Sequence, residues 1–529
     1  MSAPPPIDRR RLLQLASAGA ATLWLPRGAH AQRRWTADPF SLGVASGAPA
    51  TDSVVLWTRL LAPDLAGLAG GPVAVQWEVA HDTRFSRIAQ RGETLAQPEL
   101  AHSVHVEVPG LEPDRWYFYR FIAGDAVSAT GHTRTLPEPG AQVRRLRLAY
   151  ASCQRWEHGY FSAWRHMRQE EPDAVLFLGD YIYEYAGASN PVRTPTGGWA
   201  DSLESYRRRY ALYKSDAGLQ AMHAACPWLL TWDDHEVQND YAGQHPGYNG
   251  GAEPEPAGGF AARRAAAYQA YYEHMPLRAA VLTRAVAGLA VGAELRIHGR
   301  LRFGTLATLH LLDARQYKDA QVCTAGGRHG SSTVEPSGCA DWDDPRRTLL
   351  GAAQEAWLDA GLARPQAAWS VIAQQSLFGQ RDFRPGPGQS FWNDGWDGYS
   401  AARGRLAASL QRHHVANPVL LGGDVHENWV GHVLADYARP DSAVLGVEFC
   451  GTSISSRSAG NAKTAARLAE NPHFVFADAQ HKGYGVAEFT PEALTTTLRV
   501  VDDVTQPETR IETLARFAVL AGQRRVERA

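Results

Sequence analysis

Four apolar runs in this chain each stop on side chains able to bind a metal, and that repetition constrains the fold more than any other feature. "RLRLAYASC" ends at Cys153. "DAVLFLGDYIY" delivers Asp180 and Tyr183. "CPWLLTWDDHEVQND" delivers Asp233, Asp234, His235, Glu236, Asn239 and Asp240. "NPVLLGGDVHEN" delivers Asp424, His426, Glu427 and Asn428. Short apolar runs of this length read as buried strands. Between them lie "YFSAWRHMRQE", "FAARRAAAYQAYYEHM" and "GAAQEAWLDAGLAR", which read as helices; in the first, Phe161, Trp164, Met167 and Arg168 fall at helical spacing. Strands alternating with helices predict an α/β architecture of layered sheets over residues 143–510. In such sheets a site forms outside the carboxyl ends of the strands.

Single pieces of this pattern are weak. A lone Gly-Asp after a strand is often a turn, and "DDHE" alone is more often a solvated charge run or a helix cap. Asp424-Val425-His426 is stronger, because positions i and i+2 of an extended segment share one side and can face one ion. Four such ends in one chain point together to a metal centre, and a carboxylate shared by two cations is the usual device of two-metal hydrolysis.

Ahead of this region the pattern is β. Val73, Val75, Trp77 and Val79 alternate, as do Val104, Val106 and Val108 before the turn at Pro109-Gly110. "GLEPDRWYFYRF" places Tyr117, Tyr119 and Phe121 on one face, and Leu-x-Pro before an aromatic strand is similar to the tyrosine-corner region of fibronectin type III and immunoglobulin-like sandwiches. A small all-β domain is therefore expected over residues 38–136, as a packing partner of the larger domain or as a binding module. Pro137 to Gln142 reads as the linker. "ETLARFAVLAGQRRVERA" reads as a helix over residues 511–529.

The first residues read as an address. Arg9-Arg10-Arg11-Leu12-Leu13 gives a twin arginine, Leu12 to Leu25 an apolar run, and Ala29-His30-Ala31 a small-x-small cleavage site. A twin-arginine signal peptide over residues 1–31 is expected, with cleavage after Ala31 and a periplasmic or secreted product. The competing reading is a membrane anchor, but the run is short against the ~20 residues a spanning helix needs. Export in the folded state fits a cofactor loaded beforehand. The net charge of −2 argues against nucleic acid as partner. Of five cysteines, Cys323 and Cys339 flank a Gly/Ser-rich loop and read as a disulfide in an oxidising compartment. Cys226 and Cys450 read as core.

The stretches "FSLGVASGAP", "VVLWTRL", "PDAVLFLGDYIYEY", "TWDDHEVQNDYAG", "LLDARQYKD", "LLGGDVHENW" and "EFCGTSISS" together resemble the PhoD-type alkaline phosphatases, a branch of the calcineurin-like metallophosphatases. The resemblance runs from Phe40 to about Ser456. It implies a calcineurin-like β-sandwich flanked by helices behind a small fibronectin III/Ig-like domain, acting on phosphate monoesters and in several members on diesters. It also implies a centre combining Fe3+ with Ca2+. Carried over, Cys153, Asp180, Tyr183 and His426 match the ferric ligands. Asp180 bridges to calcium, with Asp234, Asn239 and Asp424 in the calcium shell. Such ligands make chemical sense: ferric iron favours anionic oxygen, and coordination lowers a phenol far below its ordinary pKa of about 10. Tyr181 and Tyr185 read as packing.

His235 is assigned to phosphate stabilisation or leaving-group protonation, or else to a partner of the metal ligands, with Glu236 to orient it. Arg315 is a clamp on phosphoryl oxygens or a salt-bridge partner of Asp313. The expected partners are small phosphate esters and the twin-arginine export machinery, with no stable membrane anchor and a monomeric protein. The rivals are a phosphodiesterase or phospholipase-like enzyme on the same metals, and a non-catalytic secreted binding protein.

Overall fold

The computed structural model describes residues 34–66, 71–247, 259–282, 294–364 and 367–529. The expected signal peptide lies outside these residues.

Two sheets pack face to face. The larger has ten strands, in spatial order Glu527–Arg528, Ile511–Leu520, Ala493–Val501, Lys482–Phe489, Leu146–Ala151, Ala174–Phe177, Trp228–Leu230, Val44–Gly47, Val54–Arg59 and Ser103–Val108. The smaller has seven: Gly299–Phe303, Ala307–Leu311, Trp369–Ala373, Pro418–Gly422, Val444–Cys450, Asn428–Leu434 and Phe474–Asp478. Alternation along each strand sorts the side chains. Leu146, Leu148, Tyr150, Ala174 and Leu176 face Leu309, Val371, Val419, Leu421 and Phe449 of the other sheet. Ala149, Ala151, Val175 and Phe177 turn the other way. There they meet the helices Ala163–Gln169, Leu203–Lys214, Ala217–His223 and Gly259–His274. Helices Ala352–Leu362 and Ser400–Arg412 cover the outer face of the seven-stranded sheet. Because both faces of the central strands are buried, they read as continuous apolar runs.

The strands that carry the site are parallel to one another: Leu146–Ala151, Ala174–Phe177 and Trp228–Leu230 in one sheet, Ala307–Leu311, Trp369–Ala373 and Pro418–Gly422 in the other. Their carboxyl ends therefore open on one edge of the sandwich.

The all-β unit is present, with its own core between Val44, Val54, Leu56, Val104 and Val106 on one side and Val75, Trp77, Val79, Tyr117 and Tyr119 on the other. Tyr117 Oη accepts the Glu112 amide at 2.9 Å, the tyrosine-corner bond. One sheet of this unit is not separate from the larger domain. Strand Val44–Gly47 pairs in parallel with Trp228–Leu230 through Gly47 and Trp228, so a single sheet runs through both.

The expected C-terminal helix over residues 511–529 is incorrect. Ile511–Leu520 is a strand paired antiparallel with Ala493–Val501, and Glu527–Arg528 pairs back onto it. Ala515, Phe517 and Val519 alternate into the inter-sheet core while Arg516 and Leu520 face out. Helix-forming Ala and Leu are overridden here by the open edge of a sheet with an apolar face to cover.

Candidate metal centre

Most candidate ligands sit within a few residues of a strand end, where the chain turns sharply, while Asn239 and Asp240 lie further along the loop that follows Trp228–Leu230. Cys153 (φ 59°), Asp180 (φ 57°), Asp240 (φ 58°), Asp424 (φ 66°) and His426 (φ 58°) all occupy the left-handed region. A non-glycine residue there costs about 1–3 kcal/mol, a strain that clusters at functional sites. Gly179 (φ +108°) makes the neighbouring turn possible, since a Cβ on it would lie 2.5 Å from Asp233 Cβ. Gly423 does the same between the two sheets, where a Cβ would lie 2.4 Å from Ser152 Oγ.

The loops are tied by one buried carboxylate. Glu236 accepts the amides of Asp180 at 3.1 Å, Tyr181 at 2.6 Å and Asp233 at 2.9 Å. It therefore fixes two strand ends and does not orient His235, the role expected for it. That role falls to Glu184, whose Oε2 lies 2.7 Å from His235 Nδ1 while Oε1 accepts the Asn239 amide at 2.7 Å.

Ligand atoms of Cys153, Asp180 and His426 lie within 4.8 Å of one another. Tyr183 Oη joins them, 2.9 Å from Asp180 Oδ2 and 3.1 Å from His426 Nε2, and accepts from Ser456 Oγ at 2.8 Å. His426 Nδ1 is 2.8 Å from the Arg457 carbonyl, so Nδ1 carries the proton and Nε2 turns a lone pair to the cluster. Asp180, Asp234 and His235 form a second group within the same limit, and Asp234, Asp240 and Asp394 a third. Asp424 belongs to neither acid group by distance, but its charge acts on Cys153 and it is itself acted on by Asp233, Asp234 and Asp394. Asn239 is half-buried beside Asp240.

Negative charge is crowded here without enough cations. Burial, then the charges of Asp234, Asp233 and Glu236, pushes Asp180 well above the carboxylate range. Burial, then Asp180, does the same to Cys153 and to Tyr183. Burial, then Asp233, raises Asp424. Asp180 Oδ1 and Asp234 Oδ1 are buried without a hydrogen bond, Asp234 Oδ1 having only the Arg315 guanidinium near it at 3.5 Å. Sulfur, phenol, imidazole and carboxylate donors converging with orphaned oxygens fit a metal. His235 goes the other way: burial opposes its charge, but Tyr185, Asp180, Glu184 and Asp234 prevail and hold its pKa well above the usual value.

Arg315 is not placed as a phosphoryl clamp. Its Nε donates to Asp233 and its Nη1 lies 2.8 Å from Asp394, with Asp234 at 3.5 Å. Asp313, the other expected partner, takes the backbone amide of Arg315 at 3.0 Å instead. At 3% exposed, the guanidinium serves the acid cluster. Tyr181 is core and bonds His223 at 2.8 Å, while Tyr185 packs on His235 with ring centroids 5.0 Å apart. Cys323 and Cys339 form a disulfide, and Cys226 and Cys450 are buried. Asp394 and Glu184 were missed from the sequence. Asp394 stands in a Trp/Gly/Asp loop behind only the two-residue strand Phe391–Trp392, with no apolar run to mark it; Glu184 stands one residue past Tyr183, in the motif already singled out.

Residues 148–498 match the PhoD-like phosphatase family and residues 27–137 match its N-terminal domain. The chain belongs to the PhoD-like phosphatases. It is 42% identical to alkaline phosphatase D of Bacillus subtilis (strain 168), over 96% of this chain and 87% of that protein. A solved structure described as that of PhoD superposes with a TM-score of 0.86 at 41% identity, covering 94% of this chain and 93% of that one. This PhoD-like phosphatase is thus an enzyme of phosphate esters, and the clusters above are where metal dependence would reside. Among the described residues, no helix is long and apolar enough to cross a membrane.

Proposed function

We propose that this phosphatase hydrolyses phosphate monoesters, and diesters as well, with Fe3+ held by Cys153, Asp180, Tyr183 and His426 and Ca2+ held by Asp180, Asp234, Asn239 and Asp424. The observation that carries the reading is the pair of buried carboxylate oxygens, Asp180 Oδ1 and Asp234 Oδ1, left without hydrogen bonds in a cluster crowded with acid. Phenolate and carboxylate suit a hard trivalent ion, the softer Cys153 thiolate adds a further negative charge, and an oxygen-rich set suits calcium. When bound, the metals supply positive charge to the phosphoryl oxygens and to the attacking water.

The chain's own groups do the rest. Glu184 orients the His235 ring through Nδ1, and the surrounding negative charge keeps a proton on Nε2 for the leaving-group oxygen. Glu236 and Arg315 hold the strand-end loops and acids in register. Cys153 and Tyr183 must release protons to become ligands, so metal uptake weakens as pH falls. The Arg9–Arg11 signal, the Ala29-His30-Ala31 site and the Cys323–Cys339 disulfide support export by the twin-arginine machinery to the periplasm or beyond.

Hydrolysis of an aryl phosphate monoester and of the matching diester, with metal content followed by elemental analysis, tests this. Turnover of both is expected, lost when the metals are removed and restored by iron with calcium. Turnover that survives verified metal removal contradicts the reading, and a monoester rate without a diester rate removes the diesterase part.

A further inference from the structure

We propose that the outer face of the seven-stranded sheet carries a second anion site, which takes a phosphate group away from the metal centre. The edge strand Gly299–Phe303 and its neighbours Ala307–Leu311 and Trp369–Ala373 turn polar side chains outward at one end of that face. Register sets Arg300 opposite His310, Arg302 opposite Thr308, and Thr308 beside Ser370. With Arg364 and the last turn of helix Ala352–Leu362, these residues line a cavity of about 560 Å³. Ligand sites commonly span about 300–1,000 Å³.

The lining is one-sided in charge. Arg300, Arg302 and Arg364 line the cavity, and among the described residues no carboxylate does. Hydroxyls of Thr308 and of the buried Ser370 complete it. His310, 1% exposed, has its Nδ1 3.3 Å from Arg300 Nε. Arginine can only donate, so Nδ1 accepts and the neutral ring keeps its proton on Nε2. His310 is thus a donor as well. Arg300 also donates to the Trp357 carbonyl at 3.2 Å and Arg302 to that of Gly304 at 3.0 Å, which fixes both arms before any ligand arrives. Converging guanidinium, imidazole and hydroxyl donors match the acceptor-only surface of a phosphate. The helix end here opposes an anion, but by roughly half a charge against three cations.

The cavity is distinct from the catalytic centre. Thr308 lies near the amino end of a strand whose carboxyl end leads to Asp313. Five residues at about 3.3 Å each put roughly 16 Å between them, and even His310, three residues away, lies about 10 Å along the strand from Asp313, more than one phosphate spans.

Calorimetric titration of the full chain, metals loaded, with inorganic phosphate and with phenylphosphonate tests this in the wild type, Arg302→Gln and the exposed Arg364→Glu. Two sites are expected in the wild type. The second is lost in Arg302→Gln and weakened at least tenfold in Arg364→Glu, while aryl phosphate turnover and thermal midpoint hold in both. Tighter inorganic phosphate at this site assigns it to the free anion; tighter phenylphosphonate assigns it to a phosphate carried on a larger molecule. A single site in all three proteins, or two unaltered sites in all three, overturns the proposal.

Discussion

At the scale of single residues, the site depends on which group holds which. His235 has one oriented nitrogen because Glu184 takes the other, at 2.7 Å. Replacing Glu184 with Gln keeps the volume and removes a negative charge next to His235. The kcat is expected to fall about tenfold to a hundredfold, as for a weakened general acid. Loss of that charge lowers the His235 pKa, so the alkaline fall of the kcat–pH profile moves to lower pH. An unshifted profile would assign Glu184 to the fold alone. The same scale shows what the sequence could and could not disclose. Cys153, Asp180, Asp234 and His426 are legible because each follows an apolar run, which fixes the burial of the strand and puts the polar side chain at its carboxyl end. Asp394 is brought to Asp234 by approach of a distant loop, and no local pattern encodes that distance. The partners of Arg315 are hidden for the same reason: Asp233 and Asp394 are set by tertiary contact, while Asp313 is its neighbour in sequence and takes only its backbone amide.

At the scale of elements, the strand ends work because two loops come closer than side chains allow. Gly179 is where the Asp180 turn meets the Asp233 loop. Gly179→Ala meets both a positive φ and a 2.5 Å approach to Asp233 Cβ. We expect a loss of about 1–3 kcal/mol or more, together with lower iron and calcium content, readable by thermal unfolding and elemental analysis. Normal metal content with normal stability would show that the loop spacing is slack. Elements with long, two-faced burial were easy to read in sequence. The last strand was not: "ETLARFAVL" carries helix-forming residues, and only the free edge beside Ala493–Val501 decides for a strand. The first strand, Val44–Gly47, was read as part of a small domain, and its pairing with Trp228 is a long-range contact without a local signature.

At the scale of the whole molecule, buried acids make stability depend on pH. Glu448 lies in the seven-stranded sheet away from the proposed ligands, accepting the amides of Phe378 and Gly379 at 2.5 and 2.8 Å. Burial pushes it up to about 7 from 4.5. A carboxyl whose folded pKa is raised stabilises below its unfolded pKa and loses that contribution as pH rises through the folded value. Between pH 5 and 8 this group should cost the protein on the order of 2–3 kcal/mol. In Glu448→Gln, that part of the fall in thermal midpoint should disappear. An identical pH dependence in both proteins would mean that Glu448 is solvated or relaxes on ionising. Around the metal centre the same crowding is larger, so metal removal is expected to lower the midpoint most at alkaline pH, where the acids are charged.

On the proposed function, Asp180, at the end of the strand Ala174–Phe177, would be shared by the two metals. Metal content and monoester turnover of Asp180→Asn test it together. Iron and calcium are both expected to drop and the rate to fall a hundredfold or more, as when a group acting on the transition state is lost. A variant that keeps both metals and more than about a tenth of the wild-type rate would contradict the account.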